Sequence, residues 1–139
     1  SRTSPTYSLK PHDTATSMLD GRFGVLGVKR RSINIVCRFY SSSSTKFFCR
    51  NDCRQILLRT TGDEAESGRY SIRYYQEPII RSFTVKTTIS KLKLNDSGLY
   101  SCGLGESWTS ASFLKFNILV TAGEFQRVST KTQKIIFKW

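Results

Sequence analysis

The sequence predicts an all-β fold in which two antiparallel sheets pack face to face. From about residue 21 onward, short segments alternate apolar and polar side chains, and Gly, Ser, Asn and Asp residues separate them. No stretch keeps an apolar repeat of 3.6 residues over several helical turns. Because each of these segments has one apolar face, a two-sheet sandwich is the natural way to bury all of them.

Three segments show this alternation most clearly. Residues 32–40 have an apolar face that consists of Ile33, Ile35, Cys37 and Phe39. Residues 83–90 and 114–120 alternate in the same way. Further candidate strands lie at residues 46–49, 55–58, 70–74 and 99–104. The total of about seven strands suits a sandwich of two sheets.

The length of 139 residues fits a single domain. Residues 1–20 are rich in Ser, Thr and Pro, which predicts a flexible leader or an added segment, with an edge strand as the alternative. Residues 21–121 form the predicted domain, and residues 122–139 are expected to be a stalk or an added tail. Neither a run of 18 apolar residues nor a signal-peptide core occurs, so a membrane-associated protein would be represented by its mature or truncated ectodomain.

Charge and motif content argue against an enzyme. The chain has 22 Lys and Arg residues against 10 Asp and Glu residues, a formal net charge of +12, which favours anionic partners. The single histidine, His12, leaves few groups for general acid–base catalysis. The sequence also lacks the G-x-S-x-G, H-E-x-x-H and glycine-rich phosphate-binding motifs. We therefore expect no catalytic residues and no cofactor.

A turn followed by a tyrosine and a cysteine marks the later part of the domain. Asp96-Ser97-Gly98 precedes Tyr100, and Cys102 follows two residues later. This is the tyrosine-corner pattern of immunoglobulin sandwiches, in which the tyrosine hydroxyl bonds back to the backbone of the turn. A disulfide from Cys102 to Cys37 would close a loop of about 65 residues. On the chain-entropy model it would contribute about 4 kcal/mol.

The two remaining cysteines, Cys49 and Cys53, are separated by Arg-Asn-Asp. We favour a local disulfide across a tight hairpin. The alternatives are two unpaired thiols or half of a zinc site, since C-x3-C can be metal-binding spacing. Zinc would need two more ligands, and only Cys37, Cys102 and His12 remain. Disulfide bonds predict an oxidising, extracellular compartment.

With these features the sequence resembles the V-type immunoglobulin domains of paired leukocyte receptors. This group includes the leukocyte mono-immunoglobulin-like receptors, the triggering receptors of myeloid cells, the natural cytotoxicity triggering receptors, the polymeric immunoglobulin receptor and the novel immunoglobulin-like transcripts. The segments that carry the resemblance are residues 32–40, 46–49 with Cys53, 68–72, 82–85 and 96–103. Phe48 and Ser101 stand where many of these relatives carry Trp.

The segment after Cys102 separates this chain from some other V-type domains. No Phe-Gly-x-Gly bulge follows Cys102. Its absence argues against an antibody or T-cell-receptor variable domain, and a novel immune-type receptor stays as an alternative.

The resemblance also implies particular structural residues and binding loops. Such domains commonly pair an arginine with the aspartate of the corner, here Arg69 with Asp96, and Tyr100 completes this structural set. Three loops are expected to gather at one end, at residues 40–46, about 59–68 and 103–112. The third contains Trp108, which we interpret as an exposed ligand-binding anchor, with loop packing as the alternative.

Basic residues near the Cys49–Cys53 hairpin predict a further ligand-binding group. Lys46, Arg50, Arg54 and Arg59 lie on or beside the hairpin and are expected to form one basic patch, with a solvated surface as the alternative. Asn95-Asp96-Ser97 matches an N-glycosylation sequon at Asn95, with an unmodified turn as the alternative.

The expected function is that of an extracellular ligand-binding domain of an innate immune cell-surface receptor at the plasma membrane. It would signal with an adaptor through segments absent from this chain. The expected ligand is a cell-surface protein or an anionic lipid or glycan. The alternatives are a diversified novel immune-type receptor domain that recognises a protein or pairs as a dimer, and a basic polyanion-binding module. Specific nucleic-acid binding is not expected, because the basic residues are not interleaved with an aromatic platform.

Overall fold

The computed structural model describes residues 6–9, 23–106 and 112–122, which build two packed β-sheets. In chain order the strands are β1 Thr6–Leu9, β2 Phe23–Val28, β3 Ile33–Phe39, β4 Lys46–Arg50, β5 Gln55–Thr60, β6 Glu64–Ser67, β7 Tyr70–Glu77, β8 Ser82–Ile89, β9 Gly98–Leu104 and β10 Ser112–Thr121. A 3₁₀ helix at Leu94–Asp96 precedes β9. Within these ranges no helix has the length and apolar character required to cross a membrane.

The two sheets have five strands each, in the orders β1-β3-β8-β7-β6 and β2-β10-β9-β4-β5. The two-sheet sandwich predicted from the alternation is therefore confirmed. Its strands are not all antiparallel, because β1 pairs parallel to β3 and β2 pairs parallel to β10. Parallel neighbours need a crossover and cannot be joined by a hairpin, and each of these pairs joins strands that are distant in the sequence.

The two N-terminal strands and β6 add to what the alternation predicted. Strand β1 is the edge strand that was the alternative to a flexible leader, and the Tyr7 hydroxyl donates to the Leu26 carbonyl across the sandwich, 2.8 Å away. Glu64 and Glu66, expected in a loop, lie on β6 and face Arg73 and Ser71 of β7. The remaining residues of 1–20, and residues 123–139 of the expected tail, lie outside the described residues.

Inward-facing side chains of both sheets form one hydrophobic core. Phe48 is fully buried at its centre and stacks on Tyr100, with ring centroids 5.6 Å apart, so phenylalanine fills the position where the relatives carry Trp. Other fully buried members of the core are Ile33, Ile35, Phe39, Val85, Ile89, Leu92 and Phe116.

A disulfide joins the two sheets through this core. Cys37 on β3 and Cys102 on β9 are both fully buried and bonded to each other, with Cα atoms 6.6 Å apart. This is the pairing that the tyrosine-corner spacing predicted.

A buried ion pair closes the end of the sandwich at which β7 begins. Arg69 donates from Nη1 and Nη2 to the two carboxylate oxygens of Asp96, at 2.7 and 2.9 Å. The Lys93 amide also donates to that carboxylate, and the Tyr100 hydroxyl donates to the Asp96 carbonyl oxygen. Burial opposes ionisation of Asp96, but the hydrogen bonds from Arg69 and Lys93 outweigh it and hold the pKa of Asp96 below its ordinary value.

Candidate ligand-binding end

Several connections meet at the opposite end of the sandwich. The Gly105 amide donates to the Thr45 carbonyl at 2.9 Å, and the Thr45 hydroxyl donates to Glu106 at 2.7 Å, so the β3–β4 and β9–β10 connections touch. The β7–β8 turn at residues 78–81 lies at this same end, because Phe83 pairs with both Phe39 and Gln76. The resemblance had implied such a gathering of loops.

Lys46 holds two of these connections together from inside the sandwich. It is only 4% exposed, and its Nζ donates to the carbonyls of Ser44 and Thr61 at 3.1 and 3.2 Å. The same ammonium lies 4.3 Å from the centre of the Tyr74 ring, where the face of the aromatic ring attracts a cation. Lys46 therefore positions the loops and does not present its charge to a ligand.

Arg50 is occupied in a similar way at the far end of β4. Its Nη2 donates to the carbonyls of Asn95 and Ser97, both at 2.8 Å. The guanidinium also lies 5.2 Å from the centre of the Tyr100 ring. These contacts place the Arg50 charge against the tyrosine corner.

These placements correct the prediction of one basic patch. Lys46 and Arg50 are four residues apart on a strand, which separates them by about 13 Å. Both share the inward side of β4 with Phe48, because side chains alternate between the two faces of a strand. Of the predicted basic residues, only Arg54 and Arg59 are exposed.

The hairpin between β4 and β5 is held by the predicted local disulfide. Cys49 and Cys53 are bonded, with Cα atoms 4.8 Å apart, so neither sulfur is available as a zinc thiolate. Within the described ranges no group of three or more His, Cys, Asp and Glu side chains could hold a metal ion. Asn51, Asp52 and Cys53 all have positive φ, a region that Asn and Asp tolerate better than most residues. Asp52 also forms an ion pair with Lys115 of β10, at 2.7 Å.

The loop end exposes large apolar and aromatic side chains. Ile79 is 94% exposed, Ile80 is 56% exposed and Tyr40 is 56% exposed. We name these three residues the loop-end surface. Sequence reasoning missed the two isoleucines, although two adjacent β-branched residues after a proline, within a turn between two alternating strands, are a signal that could have identified them.

Most of the exposed charges in these connections are negative. In the described connections at residues 40–45, 61–63 and 105–106, the residues charged at neutral pH are Asp63 and Glu106, and both are exposed. The neighbouring turn adds the exposed Arg81.

The predicted anchor Trp108 lies outside the described residues. Asn95, the predicted glycosylation site, is exposed on the 3₁₀ helix at the other end.

Curated relatives share sequence with most of the chain, whereas no family model matches it. The human protein CD300H is 25% identical over 127 residues, which cover 82% of this chain and 62% of the relative. The mouse CMRF35-like molecule 3 is 29% identical over 130 residues, covering 88% of this chain and 51% of the relative. The chain thus spans roughly half to three fifths of the length of these two relatives.

Solved structures share the fold. The NK cell receptor NKp44, described as a triggering partner in natural cytotoxicity, superposes with a TM-score of 0.55 at 22% identity, over 72% of this chain and 98% of NKp44. The VGSC beta subunits, described in terms of multimeric cell-adhesive interactions, give a TM-score of 0.56 at 16% identity, over 76% of this chain and 96% of theirs. These neighbours confirm the immunoglobulin V-type sandwich.

Proposed function

Since this chain has an immunoglobulin V-type fold and is similar in sequence to CD300H and the CMRF35-like molecules, we propose that it is a domain of the leukocyte-receptor kind and the extracellular ligand-binding part of an innate immune cell-surface receptor. Its two disulfide bonds support an oxidising, extracellular location. Signalling, an adaptor and anchoring in the plasma membrane belong to the same proposal. The fold supports no particular ligand by itself, so the choice of ligand rests on the surface.

The observation that carries the proposal is the exposure of the loop-end surface. Exposed large apolar groups that cluster on loops of a rigid scaffold mark interaction sites more often than single exposed residues do. Burying an isoleucine fully contributes about 1.5–3 kcal/mol. Ile79, at 94% exposure, is the described isoleucine with the most to gain from a partner.

The chemistry of this end favours a protein ligand. The connection after β3 reads Tyr-Ser-Ser-Ser-Ser-Thr, and such a mixture of an aromatic anchor with small hydroxyl side chains is typical of adaptable protein-binding loops. Asp63 and Glu106 would repel an anionic lipid headgroup or glycan here. In this proposal Trp108 adds a further anchor at the loop end, and Arg54 contributes at the side of the domain.

The proposal can be tested with the domain fused to an antibody Fc region and used to stain a panel of leukocytes and epithelial cells. We expect staining that is lost after the target cells are treated with protease. A double variant, Ile79→Ser with Ile80→Ser, should reduce apparent affinity at least ten-fold, as should Tyr40→Ala. Ile56→Ser is the matched control, because Ile56 is 45% exposed on the other sheet.

Three outcomes would contradict the proposal. Staining that resists protease and is reproduced by vesicles containing phosphatidylserine would replace the protein ligand by an anionic lipid. If Ile56→Ser loses staining and the loop-end variants keep it, the ligand binds the sheet face and not the loop-end surface. Concentration-dependent dimerisation of the unfused domain, with no staining of any cell, would indicate a self-pairing adhesion module.

A further inference from the structure

The tyrosine corner also contains a modification motif. Asn95-Asp96-Ser97 is the one Asn-x-Ser/Thr sequence in the 139 residues. Such motifs accept N-linked oligosaccharides in proteins that pass through the secretory compartments. The two disulfide bonds indicate the same oxidising route for this chain. Whether Asn95 is an acceptor therefore depends on how the fold presents the three residues of the motif.

The first residue of the motif presents its side chain to solvent. Asn95 is the middle residue of the 3₁₀ helix and is exposed. Its backbone is held separately, because Arg50 Nη2 donates to the Asn95 carbonyl at 2.8 Å. The preceding residue, Leu94, is also 48% exposed. An oligosaccharide on Asn95 can thus extend into solvent without displacing a buried side chain.

The other two residues of the motif are fixed within the fold. The Asp96 side chain is buried in its ion pair with Arg69. The Ser97 hydroxyl accepts a hydrogen bond from the Val120 amide of β10 at 2.9 Å, and the Ser97 carbonyl accepts one from Arg50. Because the motif requires Ser or Thr at its third position, the enzyme that modifies it must recognise this hydroxyl. In the folded domain that hydroxyl is bonded to β10, and the backbone around it opens only if the corner breaks.

From this asymmetry we infer that Asn95 carries an N-linked oligosaccharide, and that the sugar is attached before the tyrosine corner closes. The donor is an oligosaccharide linked through pyrophosphate to a polyprenyl lipid, and the enzyme is the oligosaccharyltransferase of the secretory pathway. Asn95 Nδ2 attacks C1 of the first sugar and loses one proton. The C1–O bond to the pyrophosphate breaks, and the pyrophosphate leaves with that electron pair.

The order of synthesis provides a period in which this transfer can occur. Val120 follows Ser97 by 23 residues, so the motif enters the secretory compartment before the strand that binds its hydroxyl. Cys102 also follows the motif, so the bond to Cys37 cannot yet have closed. Folding of the domain therefore competes with modification of Asn95, and modification must come first.

The glycan lies away from the loop-end surface. Asn95 precedes β9, whereas Gly105, which bonds to the loop end at Thr45, follows it. The seven residues of β9 separate these two ends by about 20 Å. The inference rests on the extracellular location in the proposed function and is independent of the ligand. Asn95→Gln should therefore keep the cell staining that the loop-end variants lose.

The first test is secretion of the whole chain, without a fusion partner, from mammalian cells. We expect it to migrate more slowly on a gel than the same chain made in bacteria. Peptide-N-glycosidase F should remove the difference and convert Asn95 to Asp, which peptide mass spectrometry detects. Asn95→Gln and Ser97→Ala change different atoms of the motif, and each should abolish the shift. Asn117→Gln, at an asparagine outside the motif, is the matched control and should keep it.

A second test distinguishes modification before folding from modification after it. The chain is made in bacteria, oxidised to form both disulfide bonds, and incubated with oligosaccharyltransferase and its lipid-linked donor. We expect the folded chain to accept about ten-fold less oligosaccharide than the reduced and alkylated chain, because the corner rarely opens. Arg69→Gln removes the bidentate partner of Asp96, so the oxidised variant should accept more than the oxidised parent. Arg59→Gln, at an exposed arginine of the other sheet, should match the parent.

A secreted chain without a glycan at Asn95 would overturn the inference. Equal transfer to the folded chain and to the reduced chain would overturn the order of events, because the closed corner would then be no barrier. An unmodified chain that still stains cells through the loop-end surface would contradict this inference alone. A chain that is modified at Asn95 but stains no cell would contradict the proposed ligand site alone.

Discussion

Asp96 is a buried carboxylate whose ionised form the fold stabilises. Because the pKa of Asp96 is lower in the folded protein than in the unfolded chain, its contribution to stability is complete above the unfolded pKa of about 3.9. That contribution is lost as the pH falls through the folded pKa. Asp96→Asn should destabilise the domain by about 3 kcal/mol at pH 7, since it leaves the Arg69 guanidinium without its anion.

Urea denaturation at pH 7 and at about pH 3 measures both effects. The difference in stability between the parent and Asp96→Asn should shrink at the lower pH, because below about pH 3.9 the unfolded parent binds a proton at Asp96 that the folded parent binds only at still lower pH. Glu66→Gln, a substitution at an exposed carboxylate, is the matched control and should leave stability at pH 7 nearly unchanged. A constant difference between the parent and Asp96→Asn at both pH values would contradict this explanation.

Tyr100 responds to pH in the opposite direction. Burial raises the pKa of its phenol above the ordinary value of about 10. Its contribution is therefore present below pH 10 and is lost as the pH rises further. Tyr100→Phe should cost about 1 kcal/mol at pH 7, because the Asp96 carbonyl loses its donor. The variant should also lose less stability than the parent between about pH 9 and 11, as measured by thermal unfolding. Equal alkaline losses would show that Tyr100 does not titrate in this way.

At the scale of elements, the connections of the loop end depend on one buried ammonium. Lys46→Met keeps the long apolar stem but removes the donor to Ser44 and Thr61. Each lost hydrogen bond is worth about 0.5–1.5 kcal/mol, so amide hydrogen exchange at residues 61–63 should become about ten-fold faster. The free energy of unfolding should fall by about 1–3 kcal/mol, the sum of the two hydrogen bonds. Arg59→Met is the control. Equal rates of amide exchange at residues 61–63 in the two variants would show that contacts other than those of Lys46 hold this loop in place.

Alternation along single strands predicted much of the fold, because it reports directly which face of a strand is buried. Strands β3, β8 and β10 are found where the apolar pattern placed them. Strand β2 contains two glycines, and β6 reads Glu-Ala-Glu-Ser, so neither carries an apolar face that can be recognised. Their positions depend on pairing with β10 and β7, which a local pattern cannot report.

The binding residues were harder to predict than the elements, because exposure is a property of the whole sandwich. The +12 charge suggested that Lys46 and Arg50 face solvent, whereas both charges satisfy backbone carbonyls inside the domain. By contrast, the Asp96–Tyr100 corner was readable because both partners lie within one short sequence motif.

For the whole molecule, the two disulfide bonds should differ in what they stabilise. Cys37–Cys102 closes a long loop and joins the two sheets, whereas Cys49–Cys53 closes a loop within one hairpin. On the chain-entropy model the first contributes about 4 kcal/mol and the second about 2 kcal/mol. Replacing Cys37 and Cys102 by alanine should therefore lower the free energy of unfolding about twice as much as replacing Cys49 and Cys53.

The two alanine double variants serve as controls for each other. Hydrogen exchange shows which part of the domain each disulfide bond stabilises. Without Cys37–Cys102, the slowest amides of β3, β8 and β9 should all exchange faster by a common factor, because the global unfolding equilibrium has shifted. Without Cys49–Cys53, faster exchange beyond that shift should be confined to the hairpin between β4 and β5. A larger loss of stability from the hairpin bond would mean that the three residues of positive φ at its turn are a stronger constraint on the fold than the link between the sheets.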